Sequence, residues 1–255
     1  MKLRAISYLS LVMLVSALFV AACDNQPPPT AITSGGTPAP STAAPPSTGT
    51  GTPYATVDPN SPEGHFKSGS DAYTLGSYDA AIAEFTKVLE MKPDFIAAYV
   101  NRGSAYIEQG QYDKAIADFD SALKSQPGMF AALYGRGLAY RGKKDYDKAL
   151  ADFDEAVKVG GDQASAYYGR GLVYEDKVEL DKAIADFDKA IQLKPDYAKA
   201  YLHRAELYAA RGQKEEALAD YQKVLQLNKS AETQEFVQTA ISKLLGTPVE
   251  ETPTP

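Results

Sequence analysis

The sequence predicts an all-α fold, a solenoid of five helical hairpins followed by one further C-terminal helix. The first observation is a 34-residue period that runs through residues 62–231. The second is the spacing of apolar residues within each period, which matches two helices and not a strand. The third is a glycine or proline at the points where these helices must stop. Periods of this length are typical of solenoids, in which each unit buries its apolar face against the next.

The period is defined by positions at which the same residue type occurs in successive units. Small residues, aromatic residues and prolines each recur at the same step. The recurring positions are Gly69, Gly103, Gly137 and Gly171; Ala81, Ala115, Ala149, Ala183 and Ala217; Phe85, Phe119, Phe153, Phe187 and Tyr221; and Pro93, Pro127 and Pro195. They divide the chain into five units, 62–95, 96–129, 130–163, 164–197 and 198–231.

The second unit illustrates the two helices of each hairpin. Ala98 and Ile107 belong to an apolar stripe at helical spacing, which indicates the first helix. Gly110 supplies the left-handed residue that ends this helix. Asp113 opens the second helix, where a carboxylate interacts favourably with the positive end of the helix dipole. Pro127 prevents its continuation.

After the last hairpin, residues 232–246 form a further amphipathic pattern with Phe236, Val237 and Ile241 on its apolar face. We expect a capping helix here, because the end of a solenoid otherwise exposes apolar surface. Residues 247–255 are predicted to be a disordered tail.

These repeats resemble the tetratricopeptide repeat. The resemblance rests on the 34-residue period, on small residues such as Gly103 and Ala115, on aromatic residues such as Tyr106 and Phe119, and on Pro127 at the end of the unit. The first unit is the least regular, as terminal repeats commonly are. The resemblance implies a right-handed α-solenoid that binds a protein partner and has no enzymatic activity or cofactor.

The N-terminus has the pattern of an export signal. Lys2 and Arg4 precede an uncharged, mostly apolar stretch that ends in Val20-Ala21-Ala22-Cys23. This ending resembles the lipobox of bacterial lipoproteins, which implies that residues 1–22 are a signal peptide and that Cys23 is lipidated. An uncleaved membrane anchor and a plain signal peptide are the alternatives. Several acyl chains on one cysteine would hold the protein firmly to a membrane.

Residues 23–61 are predicted to be a disordered tether. The stretch 24–61 contains nine prolines, and threonine, serine, glycine and alanine fill most of the rest. Such a segment buries too little apolar surface to offset the entropy of ordering. We therefore expect an exported, membrane-anchored lipoprotein at the extracytoplasmic face of the cell membrane or in the periplasm.

Charge and composition exclude several functions. The net charge of −7 without basic clusters argues against nucleic-acid binding. The chain has one cysteine, and its two histidines, His65 and His203, lack a second ligand at metal spacing, so no metal site is predicted. Aspartate pairs recur in successive units, and we interpret them as a solvated face and not as catalytic carboxylates. These pairs are Asp118 and Asp120, Asp152 and Asp154, and Asp186 and Asp188.

An arginine precedes the glycine position of four first helices, at Arg102, Arg136, Arg170 and Arg204. These arginines could form a ladder that faces a ligand. Alternatively, they pair with aspartates on the second helices of their own or a neighbouring unit. The second interpretation is favoured.

By the same resemblance, the first helices would line a concave groove. The candidate groove residues are Asn101, Ser104, Tyr134, Leu138, Arg141, Tyr168, Leu172, His203 and Glu206. Its tyrosines and leucines predict a peptide or helix of a partner protein as ligand. The alternative is that Tyr134 and Tyr168 only pack against neighbouring helices. Phe66 and Ser70 replace two residues of the family's clamp for acidic chain ends, so that ligand class is not expected.

The functional hypothesis is a membrane-tethered, extracytoplasmic scaffold that binds a partner protein during assembly of an envelope complex. Two alternatives stay open. One is a pilotin-like or outer-membrane assembly lipoprotein, and the other is a solenoid that assembles with itself as a homo-oligomer.

Overall fold

The computed structural model describes residues 58–247, and all the regular secondary structure in this range is α-helical. The eleven helices are α1 (Pro62–Thr74), α2 (Tyr78–Met91), α3 (Ile96–Glu108), α4 (Tyr112–Ser125), α5 (Phe130–Gly142), α6 (Tyr146–Gly160), α7 (Ala164–Asp176), α8 (Leu180–Leu193), α9 (Ala198–Ala210), α10 (Lys214–Leu227) and α11 (Ala231–Leu245). The predicted all-α helical repeat fold is confirmed.

The helices belong to two compact units, whose described parts are residues 58–144 and 145–247. The first, here called the N-terminal unit, contains α1 to α5. The second, the C-terminal unit, contains α6 to α11. Within each unit, helices that follow one another along the chain pack together, as expected for stacked hairpins.

The turns inside the hairpins share one backbone conformation. The second residue after each first helix is left-handed, with φ of 69° at Gly110 and 76° at Gly212. The amide of Gln111 then donates to the Tyr106 carbonyl at 2.8 Å, which closes the end of α3. The corresponding residues of the third and fourth hairpins are Lys144 and Val178, with φ of 62° and 61°. The geometry of the turn is therefore kept even where the side chain disfavours it.

The core of the N-terminal unit is built around aromatic rings that meet helix backbones. Phe119 on α4 is fully buried and lies against Gly103 on α3 and Gly135 on α5. A Cβ atom at Gly103 would lie 2.9 Å from Cζ of Phe119, and one at Gly135 would lie closer still. These two positions are glycine because the ring occupies the space of their side chains.

In the C-terminal unit, α11 covers the last hairpin. Val237 on α11 is fully buried and belongs to one apolar cluster with Leu202 on α9 and with Tyr221 and Val224 on α10. The helix begins at Ser230, whose Oγ accepts a hydrogen bond from the Thr233 amide at 3.2 Å. The predicted capping helix is therefore present.

Several predicted segments lie outside the described residues. They are the signal peptide at 1–22, the lipidated Cys23, the tether as far as residue 57 and the tail from residue 248. The last four residues predicted as tether, 58–61, instead form a turn in which Ser61 donates its amide to the Asp58 carbonyl at 3.0 Å. The reason is that Ser61 also caps α1. Between residues 58 and 247, no helix is both long and apolar enough to cross a membrane.

Candidate protein-binding faces and a buried His–Glu cluster

The arginine of the second hairpin is held within the protein. Arg102 on α3 donates from Nε and Nη2 to the two carboxylate oxygens of Asp118 on α4, both at 2.8 Å. Its Nη1 donates to Oγ1 of Thr86 on α2 at 3.0 Å. The guanidinium also lies over the rings of Tyr99 and Tyr106, 5.9 and 6.0 Å from their centroids. Arg102 therefore joins two successive hairpins.

The same arrangement recurs at other arginines. Arg170 on α7 forms a bidentate pair with Asp186 on α8, both distances being 2.8 Å, and also binds Asp154 on α6 at 2.8 Å. Further pairs of this kind are Arg204 with Asp220 and Asp188, and Arg136 with Asp120. The predicted pairing between first-helix arginines and second-helix aspartates is confirmed, and a ladder of arginines facing a ligand is excluded at these positions.

The interpretation of the aspartate pairs as a solvated face was wrong for one member of each pair. Asp118, Asp152 and Asp186 are buried, whereas Asp120 and Asp188 are exposed. Two residues two positions apart on a helix do not face the same way, so one carboxylate turns inward. Burial raises the pKa of the Asp118 carboxyl, and its hydrogen bonds in turn raise the pKa of Arg102.

In the N-terminal unit, the predicted groove residues lie on α3 and α5, which contact each other. Tyr134 is buried and its ring stacks on that of Phe130, with centroids 6.0 Å apart. Ser104, Leu138 and Arg141 are half-buried. This face therefore has an aromatic floor and partly accessible polar and apolar side chains above it.

Asn101 differs from the other residues on this face. It is 7% exposed, and its Nδ2 atom is buried without a hydrogen-bond partner. An unsatisfied buried donor costs about 1–3 kcal/mol, so it needs an explanation. An acceptor brought by a ligand would provide one once the Asn101 side chain turns outward, because Nδ2 itself is buried here.

In the C-terminal unit, the predicted groove residues Tyr168, Leu172, His203 and Glu206 are all buried. The Tyr168 ring packs 4.9 Å from the ring of Tyr197 and 5.7 Å from that of His203. Tyr168 and Leu172 belong to the core cluster of this unit. For Tyr168, the structure therefore favours the packing alternative that the sequence left open.

His203 lies in a cluster that the sequence analysis missed. Its Nδ1 atom is 2.9 Å from Oε2 of Glu175, a buried residue on α7. One ligand atom from each of Glu175, His203 and Glu206 lies within 4.8 Å of the others. The sequence analysis assigned His203 no second ligand, whereas the structure brings two further candidate ligand groups, Glu175 and Glu206, close to it. Glu206 follows His203 by one turn of the same helix, a signal that was overlooked, and Glu175 comes from the preceding hairpin, 28 residues earlier.

The C-terminal unit also contains an open cavity of about 280 Å³ near the start of α9 and of α11. Its apolar lining includes Leu202, Val224 and Leu227, and its lysines are Lys194, Lys199 and Lys229. No sequence motif indicated it, because its lining comes from three helices.

The family of the chain follows from its repeats. The profile of the tetratricopeptide repeat family matches residues 66–130, 100–158 and 134–198, and a second profile of the same family matches residues 198–230. The chain belongs to the tetratricopeptide repeat family. Proteins with these repeats are generally scaffolds that bind other proteins, and nothing among residues 58–247 of this one points to catalysis.

Solved structures share this tetratricopeptide repeat fold. A thermophilic tetratricopeptide repeat protein of Thermus thermophilus is 26% identical, with a TM-score of 0.62, covering 72% of this chain and 99% of its own. MamA from Desulfovibrio magneticus RS-1 is 25% identical, with a TM-score of 0.57, and the match covers 67% and 96% of the two chains. The PilF protein of Pseudomonas aeruginosa, at 18% identity and a TM-score of 0.63 over 72% and 84%, shares the fold. No curated protein matches the sequence.

Proposed function

We propose that this tetratricopeptide repeat protein is a membrane-tethered, extracytoplasmic scaffold that binds a peptide or helix of a partner protein during assembly of an envelope complex. The observation that carries the binding part is the buried Nδ2 donor of Asn101, which has no partner among the described residues. The membrane tether is supported by the lipobox-like motif Val20-Ala21-Ala22-Cys23 that follows the apolar N-terminal stretch.

The ligand face proposed here is the one formed by α3 and α5 in the N-terminal unit. Asn101 is 7% exposed, and when its side chain turns outward a backbone carbonyl of a bound segment would accept from Nδ2 and recover the cost of about 1–3 kcal/mol that this donor now carries. Leu138 and the aromatic floor at Tyr134 provide apolar contact, and Arg141 provides a charge. This mixture of anchors suits an amphipathic segment laid across the two helices.

The sequence hypothesis included Tyr134, Leu138, Tyr168 and Leu172 among the groove residues. Tyr168 and Leu172 are core residues, so replacing them would disturb folding as well as binding. The half-buried residues Ser104, Leu138 and Arg141 are therefore the better probes of ligand contact.

Site-specific photo-crosslinking in the cells that produce the protein tests this face. Ser104 on α3 and Ser121 on α4 are both half-buried, and each hydroxyl donates to the carbonyl four residues earlier, at 3.0 and 2.9 Å. A benzophenone side chain at position 104 should crosslink one partner protein that the same group at position 121 does not reach. Equal products at both positions, or none at 104, would remove α3 from the binding face.

The role of Asn101 is tested by Asn101→Leu, which keeps the size of the side chain and removes the donor. We expect crosslinking from position 104 to fall by about 5–30-fold, which corresponds to the loss of about 1–2 kcal/mol. Asn60→Leu is the control, because Asn60 is exposed and lies before α1. An unchanged yield in the Asn101 variant would show that this amide does not bind the partner.

The membrane anchor is tested by Cys23→Ser. Because the thioether of a lipidated cysteine would be the attachment, this variant should leave the membrane fraction, while the wild type sediments with it. A serine variant that still sediments would contradict lipidation at Cys23.

A further inference from the structure

We propose that Glu175, His203 and Glu206 form a binding site for a divalent transition-metal ion, with Zn²⁺ as the best fit. This site is independent of the proposed ligand face on α3 and α5. Two successive first helices of the C-terminal unit supply its residues, Glu175 from α7 and the other two from α9.

The distances suit a metal ion. The three candidate ligand atoms lie within 4.8 Å of one another. Zinc holds nitrogen and oxygen ligands at about 2.0–2.2 Å, which places ligands of a tetrahedral site about 3.4 Å apart. Small rotations of the glutamate side chains would close this difference. Three protein ligands leave the fourth position of zinc for water or another group.

The surroundings of the cluster favour a cation. Glu175, His203 and Glu206 are 9%, 5% and 6% exposed, so two carboxylates stand close together away from water. The rings of Tyr168 and Phe187 lie 5.7 Å from the imidazole and further lower the polarity. Buried carboxylates need compensation by charge, hydrogen bonds or a metal, and a divalent ion would neutralise both at once.

The donor set distinguishes among metals. One imidazole nitrogen and two carboxylates suit zinc and its neighbours in the transition series. Calcium takes about six to eight oxygen ligands, and magnesium keeps most of its water, so neither fits a trio that includes histidine. We therefore expect selectivity for Zn²⁺ over Ca²⁺ and Mg²⁺.

The chain contains its own matched control. In the N-terminal unit, Nδ1 of His65 lies 2.6 Å from Oε2 of Glu84, a histidine–carboxylate pair like that of His203 and Glu175. Among residues 58–247, only the cluster at His203 brings three possible ligands together. A pair of this kind does not make a tetrahedral site, so metal binding should depend on His203 and not on His65.

The experiment is calorimetric titration of the full chain with ZnCl₂. The Cys23→Ser background removes the one thiol of the chain, which would otherwise bind zinc. We expect one ion per chain, and a melting temperature raised by about 5–10 °C when free zinc reaches about one hundred times the dissociation constant. Calcium and magnesium chloride should not do this.

His203→Gln and Glu206→Gln should each weaken zinc binding by more than about 100-fold, because even outer-shell partners of a metal contribute about 10–100-fold. His65→Gln should bind zinc as tightly as the Cys23→Ser chain without further changes, which is the parent in these experiments. Circular dichroism of each variant without metal checks that the helices form. Cobalt added to the parent should give visible absorption bands of a protein-bound ion, a readout that needs no variant.

The proposal is overturned if the parent binds no zinc and gives no cobalt bands, or if His203→Gln binds zinc as tightly as His65→Gln does. Neither result would affect crosslinking from position 104, because that face lies on α3 and α5. Loss of crosslinking with intact zinc binding would overturn the proposed function alone.

Discussion

Neutralising two aspartates that stand two residues apart on α4 should have very different effects. Asp118→Asn and Asp120→Asn remove the same charge from the same helix. The Asp118 side chain is 7% exposed and holds Arg102 through two hydrogen bonds, whereas that of Asp120 is 52% exposed. The sequence predicted the same solvated environment for both, so a difference in stability between the two variants tests the burial seen in the structure.

The expected magnitudes follow from burial. Removing one partner of a buried ion pair costs about 3–5 kcal/mol, because the other charge is left uncompensated. Arg102 is 17% exposed and keeps its hydrogen bond to Thr86, so we expect about 3 kcal/mol for Asp118→Asn. An exposed pair contributes at most about 1 kcal/mol, which bounds the effect of Asp120→Asn.

The loss of stability in Asp118→Asn should come from the buried charge of Arg102, which is left without its partner, and not from a large net contribution of the ion pair to stability. Burial raises the pKa of Asp118 despite its hydrogen bonds from Arg102, whereas those hydrogen bonds raise the pKa of Arg102, so desolvation and attraction nearly offset each other in this pair. Replacing both partners by apolar residues of similar size is often neutral. The double variant Arg102→Met, Asp118→Leu should therefore unfold within about 1 kcal/mol of the wild type.

Urea unfolding followed by helical circular dichroism measures these differences. For a folded region of this size, about 3 kcal/mol lowers the melting temperature by about 6–12 °C. Amide hydrogen exchange in α3 and α4 is the second readout, because repeat arrays also open locally. Equal losses in the two asparagine variants, or a double variant as unstable as Asp118→Asn, would refute the reasoning.

Three further predictions concern the turns, the core and acid stability. Gly110→Val should lower the free energy of unfolding in urea by about 1–2 kcal/mol, because φ is 69° and a side chain disfavours left-handed backbone. The added Cβ meets nothing within 4 Å, so no clash adds to this cost. Val178→Gly, at φ 61°, should not destabilise the fold. Phe119→Ala should cost about 3–5 kcal/mol by the same assay, since the fully buried ring leaves a cavity. Hydrogen bonds from Lys87 and His65 lower the pKa of Glu84 below 4.5, so its contribution is present above pH 4.5 and is lost as pH falls through the lower folded value. Glu84→Gln should flatten that part of the acid dependence of unfolding, and an unchanged slope would contradict it.

Local pattern sufficed for the hairpins. The 34-residue period located both helices of each unit, because side chains at helical spacing share a face whatever lies opposite. It also predicted that Arg102 and Arg170 pair with second-helix aspartates, since an arginine and an aspartate recur together in four of the five units. Gly110 marked its turn for a similar reason, because left-handed backbone favours glycine. At Lys144 and Val178 the turn persists without that signal.

The sequence by itself therefore determined the fold class, the hairpins and the type of ion pair that joins them. Only the tertiary structure decided which aspartate of each pair is buried, that Asn101 holds an unsatisfied donor, and that Glu175, His203 and Glu206 meet. The reason is that periodicity records which residues share a face of one helix. Burial and clustering depend on how deeply the next hairpin packs against that face, and no single repeat contains that information.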